Sequence, residues 1–177
     1  MRTMDSVRAA AVSVVLLSCA WAQTAGPGSV QVEVVFLEAK TDGSGLDPRI
    51  NASLSNTLRK SSKGSPNAVA PFDRFDGYGW IGKESRVLHA NESAFVPIPM
   101  TQDGTFSIEY RGSISGGNSA EGRRHAMTFG PRSKSGEVRN KVDVTLEDGG
   151  TFLQGMTTRA GKNLFLGFIV TAIKPAR

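Results

Sequence analysis

Two histidines, His89 and His125, and one cysteine, Cys19, are the chain's whole supply of imidazole and thiol. A single thiol forms no internal disulfide, and this set is too small for a Cys/His zinc cluster. There is no Gly-x-Ser-x-Gly elbow and no phosphate-binding loop: Gly112 to Gly117 has the glycines but neither the lysine nor a strand–loop–helix setting. Asp73-Arg74-Phe75-Asp76-Gly77 has the spacing that opens a calcium loop, yet the further oxygen ligands and the closing glutamate are missing. It reads as a turn with surface carboxylates. His125 follows Arg123 and Arg124 and reads as a surface histidine; His89, in the stretch Arg86 to Ala90, reads as outward or half-buried. These absences point away from catalysis and from any metal or other cofactor. A two-carboxylate hydrolase stays as an alternative, because the 16 acids pair only in space.

Two sets of residues are suited to binding. Phe72, Phe75, Tyr78 and Trp80 crowd four rings beside Asp73 and Asp76, a composition for stacking a ligand or glycan, or for closing one end of a core. The second set is basic. From Gln23 to Glu109 there are 8 basic and 10 acidic residues; from Tyr110 to Arg177 there are 11 and 5. The formal charge of +5 therefore conceals a polarity, and its positive part gathers at Arg111, Arg123, Arg124, Arg132, Lys134, Arg139 and Lys141. Such a set suits an anionic partner (lipid head groups, acidic polysaccharide, another protein's acidic face) or simply a solvated surface. Nucleic acid fits least, since no aromatic platform is interleaved with these cations.

The elements that must position these residues are mostly strands. Val30, Val32, Val34 and Phe36 share one parity and Gln31 and Glu33 the other, the pattern of a half-buried strand over Val30 to Glu38. Asp47-Pro48 predicts an N-cap and first helical residue, with Ile50, Leu54 and Leu58 recurring along a short helix over 48–60. Short strands follow at 78–82, 85–90 and 93–98, then a clear alternation through Phe106, Ile108 and Tyr110. Glycine- and serine-rich loops at 112–122 and 130–136 flank a strand at 124–129. Residues 138–146 alternate again, and Glu147-Asp148-Gly149-Gly150 predicts a hairpin returning through Thr151 to Met156. Leu164 to Ile173 has no charge in ten residues and reads as a central buried strand. About eight strands and one helix compose an all-β domain, an antiparallel sandwich or partly open barrel.

The N-terminus has the form of an export signal. Arg2 and Arg8 precede the nine apolar or small residues Ala9 to Leu17, and Ala20-Trp21-Ala22 offers small residues at the two cleavage positions. The apolar stretch is far short of the ~20 residues a spanning helix needs, so the mature chain is expected to have no transmembrane span. This divides the chain into a signal peptide (1–22), a linker (23–29) and one β-rich domain (30–177). Leu16-Leu17-Ser18-Cys19 resembles a bacterial lipobox, which makes lipidation at Cys19 the minor alternative. The expected location is the periplasm, the outer membrane or the exterior.

Val30 to Ala39 (VQVEVVFLEA) resembles the opening strand of the secretin homology domain of bacterial outer-membrane secretion channels. Val142 to Gly155 with Asn163 to Ile173 is similar to that domain's closing hairpin, and Ser85 to Ala94 to an internal segment. Residues 48–80 depart from the pattern. The resemblance implies a stand-alone, secretin-like β domain at the envelope and carries no functional residue across. The leading expectation is an exported, non-enzymatic structural or assembly component that contacts another envelope protein or complex through strand edges or basic loops. A ligand- or glycan-binding module is the first alternative.

Overall fold

The computed structural model describes residues 24–25, 28–101, 104–114, 123–133, 135–158 and 161–173; the expected signal peptide (1–22), with Cys19, and Lys134 lie outside them. The alternating run opens β2 (Val30–Lys40), which pairs antiparallel with β3 (Gly77–Leu88) on one side and β9 (Asn163–Ala172) on the other. With β8 (Thr151–Thr157) beyond β9, these strands form sheet II in the order β3–β2–β9–β8. Sheet I runs β4 (Glu92–Pro97), β5 (Thr105–Ile114), β6 (Arg124–Arg132), β7 (Val142–Glu147). A two-residue strand, β1 (Thr24–Ala25), continues the β4 edge by pairing with Ser113 and Ile114 of β5. All pairings between these strands are antiparallel, an isolated parallel bridge joins Leu46 to Tyr78, and among the described residues no barrel closes, so the fold is a sandwich.

The core has two layers. Val30, Val32, Val34 and Phe36 of β2 meet Phe106, Ile108, Met127 and Phe129 of sheet I, together with Leu166 and Phe168 of β9. The opposite parity of sheet II is also apolar and is covered by α1 (Ala52–Ser61), whose Leu54 and Leu58 rest on Val35, Leu37 and Phe165. This explains why Leu164 to Val170 offers no polar position: β9 is buried on both faces, each large side chain contributing roughly 1.5–3 kcal/mol.

Four local expectations are corrected. The helix cap is Asn51, whose side chain accepts the Leu54 N–H at 2.9 Å; Asp47 instead folds a turn before the helix, accepting from the Arg49 backbone at 3.0 Å. The two strands expected at 78–82 and 85–90 are one, β3. Its charges fit an edge strand because Lys83 pairs with Glu33 across β2 at 2.9 Å, and Arg86 pairs with Glu84 at 2.7 Å. A register shift opposite Phe36 and Leu37 turns Ile81 to the inter-sheet core and Trp80 towards α1. The stretch expected as a loop from 130 is strand through Arg132.

The fourth correction concerns Glu147-Asp148-Gly149-Gly150, which is not a hairpin. It is a tight turn, closed by Gly150 N–H to Glu147 O at 2.8 Å, that carries the chain from β7 in sheet I to β8 in sheet II. Gly149 (φ 77°) donates to Val170 O at 2.7 Å, and Asp148 N–H donates to Arg123 O at 2.9 Å, so the turn is stapled to both sheets. Glycine at a positive φ serves a crossover as well as a hairpin, and so the motif is silent about which sheet receives the next strand.

Candidate binding face

The outer face of sheet I is set by the same alternation that builds its inner face. Val96, Phe106, Ile108, Met127 and Phe129 point inward, leaving Phe95, Ser107, Glu109, Thr128 and Gly130 outward. Register arranges these in rungs: Ser93–Glu109–Thr128–Asp143 across four strands, then Phe95–Ser107–Gly130 beside it. In the first rung the Thr128 hydroxyl donates to Asp143 at 2.7 Å, and Arg111 lies 3.0 Å from Asp143 and 3.6 Å from Glu109. The two acids therefore share one guanidinium in a single ion-pair network.

Gly130 lets the chain fold back over this face. A Cβ there would stand 2.7 Å from Val138 Cγ1 and 3.0 Å from the Arg139 carbonyl, so only glycine admits residues 138–141 against the strand. Between that segment and Phe95 lies a groove of about 150 Å³, lined by Ser93, Phe95, Ser107, Thr128, Val138 and Lys141, with Glu109 also contributing. Phe95 is 43% exposed, although it stands in a strand with a buried neighbour at Val96. The Arg132 guanidinium lies 4.1 Å from the centroid of its ring, a cation–π contact, and also donates to Gly136 O at 3.0 Å.

The structure divides the basic set. Arg132, Arg139 and Lys141 stand at the groove end of β6, whereas Arg123 and Arg124 stand at its other end, roughly 26 Å away at about 3.3 Å per residue. Several cations are already matched: Arg111 as above, Arg139 with Glu137 at 3.3 Å, and Arg124 with Glu147 at 4.0 Å. Among the described residues Arg123, Arg132 and Lys141 have no carboxylate partner.

The aromatic set lies on the opposite side of the molecule, over sheet II. Phe72, Phe75 and Tyr78 are buried, and their ring centroids lie 4.8, 5.5 and 5.6 Å from that of Phe165. None of the three turns a face to solvent, because the space beneath α1 needs filling. Trp80 is half-buried with the Arg49 guanidinium 6.0 Å from its ring, Asp73 is exposed, and Asp76 accepts from the Gly43 backbone at 3.0 Å. The ring that does reach solvent, Phe95, was legible as an aromatic on the parity of Ser93 and Pro97.

His125 is wholly buried, not on the surface. Its parity in β6 is that of Met127 and Phe129, so its side chain enters the sandwich. Its Nδ1 lies 3.4 Å from the Tyr110 hydroxyl, which lies 2.9 Å from Ser113 Oγ. Its Nε2 has no hydrogen-bond partner among the described residues and stands 3.7 Å from Asp148 Oδ1. Burial holds the imidazole below its ordinary pKa, and the Asp148 carboxylate offsets this only in part. An acid, an imidazole and a phenol are the parts of a proton relay. Here, however, the serine is buried and reaches the imidazole only through Tyr110.

Among the described residues no three His, Cys, Asp or Glu side chains converge as metal ligands, and no helix is long and apolar enough to cross a membrane. Comparison with known protein families, with characterised proteins and with solved structures finds no match.

Proposed function

We propose that this protein is an exported, non-enzymatic binding component of a bacterial envelope, and that it holds an anionic partner on the outer face of sheet I. One observation carries the reading: the two outer faces of the sandwich are treated differently. Sheet II is covered by the chain's own helix, while sheet I leaves Phe95 exposed beside Arg132 and Lys141, two cations with no carboxylate partner among the described residues. An exposed aromatic with neighbouring cations is a usual anchor of a binding surface, and unmatched charge gives it a sign.

The test is retention of the purified protein on washed envelope fragments of its source, with the wild type against Lys141→Glu. Wild-type protein is expected to be retained at low salt and released near 1 M, where the screening length falls to about 3 Å. The Lys141→Glu variant is expected to wash through. Equal retention of both proteins at every salt concentration overturns the proposal.

A further inference from the structure

The groove between Phe95 and residues 138–141 has a composition that selects among anions. Besides an exposed ring and an unmatched ammonium, it has two hydroxyls, those of Ser93 and Ser107, with no hydrogen-bond partner among the described residues. Ser107 is mostly buried as a residue, yet its hydroxyl is not cut off from solvent as His125 Nε2 is, so it faces the open groove. A third hydroxyl, that of Thr128, is held by Asp143, and the Glu109 carboxylate reaches the same groove.

From this we infer that the groove is a subsite for one acidic sugar residue of an anionic polysaccharide. The inference rests on the reading of this face as a binding surface and names what it binds. A sugar ring presents an apolar C–H face for Phe95, hydroxyls for Ser93, Ser107 and Glu109, and a carboxylate for Lys141 and Arg132. The volume of about 150 Å³ suits a single ring and is well below the roughly 300–1,000 Å³ of sites for drug-sized ligands.

Other anions satisfy fewer of these groups. An acyl chain would meet Phe95, Val138 and Phe129 set among three hydroxyls, a carboxylate and an ammonium, and a phosphate alone would leave the ring unused. A single-stranded nucleic acid needs successive aromatic platforms, and this face has one. An acidic peptide would match the cations and reach the serine hydroxyls with its amides, but its Asp and Glu side chains offer Phe95 no ring face of C–H groups.

The experiment is calorimetric titration of the full secreted chain with three probes: a hexamer of galacturonate, the neutral hexamer of galactose, and hexaglutamate. The galacturonate hexamer is expected to bind at least tenfold more tightly than either control. Lys141→Gln should weaken it about tenfold, and Phe95→Leu and Ser107→Ala at least threefold each, with thermal melts confirming that the variants fold. Hexaglutamate binding as tightly as the uronate would overturn the inference in favour of charge alone or an acidic protein. Unchanged binding by Phe95→Leu would overturn it equally. The two proposals fail differently. If Lys141→Glu loses the envelope fragments while no saccharide binds, the binding face stands and the sugar falls; if neither assay responds, both fall.

Discussion

The two outer faces of this sandwich follow one rule and reach opposite results. On sheet II the outward parity is Val35, Leu37, Phe165 and Ile169, apolar surface that water disfavours, and α1 covers it. Gly167 marks how close the helix comes: a Cβ there would stand 2.6 Å from Leu54 Cδ2. On sheet I the outward parity is serine, threonine and charge, with Phe95 the one large apolar side chain exposed on β4 to β7. That face needs no cover for stability, so its single exposed ring calls for a different explanation. The contrast teaches where to look for function: at the apolar group that the fold could have buried and did not.

Breaking the covered face should have the largest effect. Phe165→Ala removes the ring on which Phe72, Phe75 and Tyr78 converge, and a loss of about 3–5 kcal/mol is expected by denaturant unfolding. A loss near that of an ordinary surface change would mean that the layer under α1 is not part of the cooperative core. Gly167→Ala adds a methyl where Leu54 already stands and should cost about 1–3 kcal/mol, unless the helix shifts freely on its sheet.

The seam between the sheets offers an intermediate test. Folded His125 has a pKa below its ordinary value, whereas the unfolded chain takes up that proton near pH 6.5. The unfolded state therefore binds more protons as pH falls, and stability declines below about pH 6.5 with a slope of at most about 1.4 kcal/mol per pH unit. His125→Gln should flatten this dependence between pH 5 and 7. An identical slope in the variant would show that other groups set it. The smallest effect belongs to the bare face. Phe95→Ala should change stability by less than about 1 kcal/mol, the worth of an exposed cation–π contact, while abolishing partner binding. If it unfolds the protein instead, Phe95 is a structural residue and the contrast between the faces collapses.

Much of the fold was legible because strand parity is local. The inner set of β2 and β5, the doubly buried β9 and the presence of one early helix all follow from spacing along the chain. The site was less legible. Phe72, Phe75 and Tyr78 have the composition of a stacking patch, yet the helix that hides them is placed by contacts far away in sequence. His125 beside two arginines has the composition of a surface residue, but alternation with Met127 and Phe129 turns it inward. The basic set carried no information on pairing: Arg111, Arg124 and Arg139 find acids, and among the described residues Arg132 and Lys141 do not.

The sequence by itself determined which residues alternate, where the chain turns, and the poverty of reactive side chains, because all three depend on neighbours within a few residues. Only the tertiary structure decided that Glu147 to Gly150 crosses between sheets, which apolar parity receives α1, and which outer face stays bare. These are choices of partner across long stretches of chain. A period of two says that one face of a strand is apolar; it does not say what will cover it.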